Sequence, residues 1–210
     1  MAYLILVRHG KSEWNHLGLW TGHTDVELVQ EGIEEACRAG KAICDINIDC
    51  AHVSELKRAH QTLHEIKKAI GKEDLSHKSH KALNERHYGI HTGKNKWQVK
   101  EEVGEEAFQA IRRGWDVPIK EGETLKDVYT RAIPYYNEHI KPELKEGRNV
   151  LVVAHGNTIR ALVKYLENIS DKDVEGVEIG TGEVHCYKMD DDGLTISKEI
   201  RSTNDQKAKV

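Results

Sequence analysis

The sequence predicts an α/β fold with a mostly parallel central sheet and helices on both faces. Three observations carry this expectation. Residues 3–7 and 150–154 are continuously apolar and rich in β-type residues, and each run ends abruptly in a polar, glycine-containing segment, as a strand buried on both faces does. Stretches with helical periodicity alternate with such runs, and that alternation builds a parallel sheet covered by helices. At 210 residues the chain falls in the range of one domain with one core, here residues 1–210.

The elements follow in order. The strand at 3–7 runs into Arg8, His9 and Gly10, and Ile33, Ala36, Cys37 and Ile43 then share one helical face. Residues 51–54 read as a short strand, followed by a helix whose apolar stripe is Ala59, Leu63, Ile66 and Ile70. Residues 72–113 are rich in His, Lys, Glu and Gly and poor in apolar periodicity, so they read as an excursion over the sheet edge, within a cap at 72–122. Thr124 and Asp127 make a capping box for a helix with the stripe Leu125, Val128, Ala132 and Tyr136, which Pro134 is expected to bend or interrupt. After 150–154, the spacing of Ile159, Leu162, Val163 and Leu166 predicts another helix. Residues 184–189 and 194–200 flank a turn at 190–193 and read as two strands. The last stretch, 201–210, is a polar tail expected to be mobile.

Composition excludes several classes. Charged residues make up 31% of the chain with both signs interspersed and a net charge of −4, so no basic footprint for nucleic acid is present. Four cysteines without a CxxC spacing argue against a disulfide framework or a zinc knuckle and fit a reducing compartment. The first apolar run is too short for a signal peptide and lacks a basic segment before it. No run is long enough for a membrane-spanning helix. A cytoplasmic protein is the expectation.

His9 and His155 each follow a buried strand, each is followed by glycine, and each precedes a helix start. Ligands of open α/β sheets bind at the carboxyl ends of the parallel strands, where helix N-termini offer N–H groups to an anion. Both histidines therefore reach one crevice, and phosphate suits it. Gly10 and Gly156 would allow close backbone approach, Arg8 would clamp phosphate oxygens bidentately, and Arg58 can join from the start of another helix. One imidazole can attack phosphorus while the other donates hydrogen bonds to its oxygens. Positioning and fixed positive charge are the main demands of such a transfer. Among thirteen histidines, His60 with His64 and His77 with His80 are spaced as metal ligands could be, but neither pair sits in an HExxH setting. They read as surface histidines, and no metal is expected.

The segment LVRHGKSEWN at 6–15 resembles the signature of the phosphoglycerate mutase branch of the histidine phosphatase superfamily. TG at 21–22 with DV at 25–26, LKRA at 56–59, LNERHYG at 83–89, NK at 95–96, RRG at 112–114 and AHGNTIRALVKYL at 154–166 resemble further elements of that branch in the same order. The resemblance implies that His9 is phosphorylated, that Glu85 is the proton donor and acceptor, and that His155, Arg8 and Arg58 bind the moving phosphoryl group. It implies a substrate pocket completed by Asn15, Thr21, Gly22, Arg86, His87, Tyr88, Lys96, Arg112, Arg113, Gly156 and Asn157. Read from residue types alone, Glu85 and Arg86 also fit an exposed charge pair, and Arg112 with Arg113 a solvated helix face.

The implied activity is interconversion of 3-phosphoglycerate and 2-phosphoglycerate, a small-molecule substrate, with 2,3-bisphosphoglycerate as primer and no metal, nucleic acid or membrane partner. The alternative within the same fold is a histidine phosphatase that hydrolyses a small phosphomonoester. A non-catalytic phospholigand-binding module would be expected to lack His9, Glu85 or His155. The sequence departs from the common pattern at Lys11, His23 and Thr92, and only residues 115–122 separate Arg113-Gly114 from Glu123, where many members carry a longer segment. That shortening leaves open whether the chain forms a homo-oligomer.

Overall fold

The computed structural model describes residues 1–201, so the expected tail lies outside the described residues except for Arg201, which closes the last strand. Six strands form one sheet: β1 (Ala2–Arg8), β2 (Cys50–Val53), β3 (His77–Ser79), β4 (Val150–Ala154), β5 (Val184–Met189) and β6 (Thr195–Arg201). Their spatial order is β3-β2-β4-β1-β5-β6. The first four in that order are parallel, β5 pairs antiparallel with β1, and β6 pairs antiparallel with β5. The sheet is mixed and mostly parallel, as predicted. β1 and β4 are neighbours with Arg8 opposite Ala154, so the residues that follow, His9 and His155, leave the sheet side by side.

Alternate residues of the central strands feed two cores. Leu4, Leu6, Val150, Val152 and Ala154 pack on one face, with Ile133 and Tyr136 from one helical segment and Ile159, Leu162 and Val163 from another. Ile5, Val7, Leu151 and Val153 pack on the opposite face with Ala59, Leu63 and Ile66. Burial on both faces is why β1 and β4 read as unbroken apolar runs.

Helix α1 (Glu13–His16) is a single turn opened by a capping box between Ser12 and Asn15. Helices α2 (Gln30–Lys41) and α3 (Lys57–Ala69) cover the second core. The buried face of α2 is rotated from the predicted stripe: Gly32, Glu35, Ala36, Ala39 and Gly40 are buried, while Ile33 and Cys37 are only partly covered and Ile43 lies beyond the helix end. The reason is close approach, since a Cβ on Gly40 would stand 2.6 Å from Ala69 Cβ. Small residues face the core here because α3 and the loop after β1 come too near for large ones.

The excursion begins later than its composition suggests, because residues 77–79 add the parallel edge strand β3. Beyond it, α4 (Lys96–Val103) and α5 (Glu105–Arg113) hold a small core of their own, Trp20, Val99 and Phe108. Helix α6 (Leu125–Tyr135) opens on the predicted Thr124–Asp127 capping box. Pro134 does not interrupt it. The chain passes through Pro134 into a wide turn at Tyr136–Ile140 and continues as α7 (Lys141–Lys145), so the five-residue turn follows the proline. Helix α8 (Gly156–Leu166) starts directly after His155. No helix among the described residues is long and apolar enough to cross a membrane.

Candidate active site

His9 is carried out of β1 by a hydrogen bond from its N–H to the Ala154 carbonyl (3.0 Å) and is almost fully buried. Its Nδ1 lies 2.7 Å from the Gly10 carbonyl. A carbonyl only accepts, so Nδ1 carries the proton and Nε2 keeps the lone pair. Burial, then the charges of Arg58 and Arg8, hold the His9 pKa well below its ordinary 6.5, so the imidazole is neutral and nucleophilic near neutral pH.

His155 stands at the N-cap of α8 with its ring 4.9 Å from that of His9. Its Nε2 lies 2.6 Å from the Ser54 hydroxyl oxygen, which accepts from the Leu56 N–H. If Ser54 donates its own proton to Nε2, every group on that serine is used and His155 carries its proton on Nδ1. Burial first, then Arg58, His9 and Arg8, keep this ring neutral as well. Among the described residues, Nδ1 of His155, Nε of Arg8 and Nε of Arg58 are buried without a hydrogen-bond partner. Buried donors left unpaired are costly. Three of them around two neutral imidazoles make a cradle for an anion.

The arginines are aimed by backbone carbonyls. Arg8 donates to Ile179 O (2.7 Å), and Arg58 to Thr24 O (2.9 Å) and Gly22 O (2.8 Å). Gly22 has φ +55°, a left-handed turn that glycine adopts without strain and that presents this carbonyl to Arg58. Burial lowers the Arg58 pKa to about 10, still charged at neutral pH. The close approach at Gly10 is to α2: a Cβ there would stand 2.1 Å from the Gly32 carbonyl, so packing by itself demands this glycine. At Gly156 a Cβ would meet the Arg8 guanidinium at ordinary contact, 3.6 Å.

Glu85 and Arg86 are buried, which removes the reading of them as an exposed charge pair. Glu85 Oε1 accepts from the Arg86 N–H (2.8 Å), the Asn157 N–H (3.2 Å) and Asn157 Nδ2 (3.1 Å), and Asn157 Nδ2 also donates to the Tyr88 hydroxyl (2.8 Å). The carboxylate is thereby tied to the first turn of the helix that His155 caps. Lys96 lies in the same field of charge: burial, then Arg8 and Arg112, pull its pKa down to about 8. Arg112 packs over the Phe108 ring, 5.4 Å from its centre, and burial followed by Arg113 lowers its pKa also.

Other expected pocket residues have partners within the protein. The Asn15 side-chain oxygen accepts from Ser12 in the α1 cap. Arg86 Nη2 donates to the Ile111 and Arg112 carbonyls at the end of α5, while its Nε and Nη1 are buried without a partner among the described residues. Arg113 pairs with Glu178. The His87 ring packs edge-on against His23, 5.0 Å between centres. Thr21 is buried in the turn that bears Gly22. Of the histidines read as surface groups, His64 and His77 are exposed, whereas His80 stacks on Tyr135.

Three contributors were missed in the sequence. Ser54 holds His155. Arg131 donates to the carbonyls of Ala82, Asn84 and Glu85, stapling the loop that bears Glu85. Arg160, buried, donates to Asn157 Oδ1 (3.0 Å) and to the Val174, Val177 and Arg113 carbonyls, and burial lowers its pKa to about 9. A buried arginine inside an otherwise apolar helical stripe was the available signal.

A family model described as histidine phosphatase superfamily (branch 1) matches residues 4–201. The chain belongs to this superfamily. Among curated histidine phosphatase relatives, the 2,3-bisphosphoglycerate-dependent phosphoglycerate mutase of Parvibaculum lavamentivorans is 41% identical over 199 residues, covering 94% of this chain and 95% of that protein. The protein of the same name from Cytophaga hutchinsonii is 45% identical over 189 residues, covering 90% and 88%. Among solved structures, a mycobacterial glucosyl-3-phosphoglycerate phosphatase complexed with VO3 superposes with a TM-score of 0.80 at 25% identity, covering 90% of this chain and 93% of that one. A putative alpha-ribazole-5'-P phosphatase from Escherichia coli shares the fold, with a TM-score of 0.77 at 22% identity and coverage of 95% and 94%. This chain is thus a histidine phosphatase superfamily enzyme with a phosphoester as its substrate class.

Proposed function

We propose that this enzyme is a 2,3-bisphosphoglycerate-dependent phosphoglycerate mutase that interconverts 3-phosphoglycerate and 2-phosphoglycerate through phospho-His9. The observation that carries the reading is the second crowd of cations. The cradle of His9, His155, Arg8 and Arg58 suffices for one phosphoryl group, while Lys96 and Arg112 offer charge to a second anionic end. A ligand with two anionic ends fits both. The mutase relatives at 41% and 45% identity support the same reading.

In the proposed cycle His9 Nε2 attacks the phosphorus of the primer, and the P–O bond to the sugar-acid oxygen breaks. Glu85 gives that oxygen its proton, and later takes one from the hydroxyl that attacks phospho-His9. His155 Nδ1–H and the two arginines hold the three equatorial oxygens. Arg112 and Lys96 grip the far carboxylate or phosphate. The chemistry of the transfer uses no metal.

The phosphatase reading is favoured by one specific observation: Arg113 is committed to Glu178 and so is not held ready for ligand. A looser grip on the far end would let water reach phospho-His9. The test is conversion of 3-phosphoglycerate coupled to enolase, with and without 2,3-bisphosphoglycerate, beside phosphate release from the same substrates. Conversion that depends on the primer and exceeds phosphate release is expected. Phosphate release without conversion would overturn the mutase reading and leave the phosphatase one.

A further inference from the structure

Cys50 and His52 are two residues apart on β2, so their side chains leave the same face of the sheet, and α7 lays Glu143 against them. Cys50 Sγ is 3.0 Å from Glu143 Oε2, His52 Nε2 is 2.9 Å from the same oxygen, and all three ligand atoms lie within 4.8 Å of one another. All three residues are buried. Cys50 is the first residue of β2 and His52 the third, two before the Ser54 that holds His155. We propose that this thiol, imidazole and carboxylate form a binding site for a thiophilic divalent cation of the zinc class.

The donor set is the borderline-soft mixture of sulfur, nitrogen and carboxylate oxygen that zinc takes. Zinc–ligand bonds of 2.0–2.3 Å put the ligand atoms of a tetrahedral ion roughly 3.3–3.8 Å apart, so the two contacts at Glu143 Oε2 need to open by about half an ångström. Their outer partners are arranged as in a metal site. His52 Nδ1 lies 2.8 Å from the Tyr135 hydroxyl, and that ring is held by the stacked His80 ring, 4.5 Å away. On Glu143 the cations and the exchangeable protons use different oxygens. Lys78 (2.8 Å) and Arg148 (3.4 Å) both contact Oε1, while the Cys50 and His52 protons both point to Oε2.

A cation entering at Oε2 therefore replaces two hydrogen bonds on one oxygen and leaves the rest of the network standing. The Cys50 proton goes to solvent. His52 stays neutral, its proton moving from Nε2 to Nδ1, where the Tyr135 oxygen accepts it. One proton is released per cation bound, and water takes the fourth tetrahedral position. Lys78, with 61% of its side chain exposed, roofs the cluster and can swing aside to admit the ion. Because binding releases the Cys50 proton, affinity must climb as pH rises.

The test uses the full chain, stripped with chelator and titrated with Co2+ as a spectroscopic probe and Zn2+ as competitor, in buffer free of phosphate. We expect about one Co2+ per chain, a thiolate-to-cobalt absorption that Zn2+ abolishes, and apparent affinity rising about tenfold per pH unit. Cys50→Ser should lose the absorption and His52→Gln should weaken binding at least tenfold, while Cys37→Ser and Cys44→Ser keep both. Zn2+ should raise the melting temperature of the wild type and leave that of Cys50→Ser unchanged. Absence of the absorption in the wild type, its survival in Cys50→Ser, or a pH-independent affinity would overturn the site. None of these readings depends on which phosphoester the enzyme turns over.

Discussion

His9 and His155 are the same side chain in the same charge field, and one hydrogen bond on each separates what they can do. The Gly10 carbonyl fixes the proton of His9 on Nδ1, and the Ser54 hydroxyl, where it donates, leaves that of His155 on Nδ1. Ser54→Ala should therefore lower kcat about 10–100-fold with little change in KM, the range for losing a group that orients a functional histidine. Ser54→Thr, which keeps the hydroxyl, should recover most of that loss. Nitrogen NMR of labelled His155 would show the Nδ1–H form giving way to a mixture in the alanine variant. A near-normal kcat there would mean that Ser54 only fills space. Lys96 makes a second prediction at this scale. With its pKa near 8 in the free enzyme, its charge is lost as pH rises, so affinity for an anionic ligand should fall up to about tenfold per unit above that point. Lys96→Arg stays charged and should remove this alkaline limb in a binding titration.

Close backbone approach governs the elements around the site. A Cβ on Gly32 would stand 2.1 Å from the Lys11 carbonyl, and one on Gly10 the same distance from the Gly32 carbonyl. Helix α2 thus serves as a backstop for the loop that follows β1. Gly32→Ala should destabilise the protein by at least about 1–3 kcal/mol, the range for overpacking, and also slow phosphorylation of His9 because the loop must shift. Thermal melts beside a phosphoenzyme assay would check both, and an unchanged melt would show that α2 can give way. The same contact explains what the sequence revealed and what it hid. Strands β1 and β4 were legible because burial on both faces leaves an unbroken apolar run. The α2 stripe was misread because its buried face joins Glu35 to glycine and alanine, a pattern that apolar periodicity does not register. Ser54 and Arg131 were illegible for a different reason: each acts through a partner far along the chain, and nothing local in the sequence announces such a bond. The disturbance expected at Pro134 falls just after it, where the α-helix gives way to the wide turn.

At the scale of the whole molecule, the grip on the far end of the ligand in the proposed cycle would depend on α5 being held down. Arg113 pairs with Glu178, and Arg86 and Arg160 both donate to carbonyls at the end of α5. Arg113→Ala should loosen that helix and depress mutase activity more than phosphatase activity, because retention is lost while His9, His155 and Glu85 are untouched. Glu178→Gln separates two effects of the pair: a loss like that of Arg113→Ala means that the pair holds α5 down, and a gain in retention means that it keeps Arg113 from the ligand. Both activities should be followed at one fixed ionic strength, since such pairs weaken with salt. Equal losses in the two activities would show that α5 does not govern retention.

The two imidazoles stand at the ends of central strands, whereas Glu85 rides on a crossing loop stapled by Arg131 and by the first turn of α8. These two parts of the site have unequal resistance to local opening, since loops open at lower cost than buried strands. In the proposed cycle, a lift of this loop to exchange ligand would carry the Glu85 carboxylate away and leave the imidazoles where they are. A phosphoryl group left on His9 would then have no carboxylate beside it to move the alcohol's proton. Exchange and chemistry would exclude one another through the position of a single carboxylate.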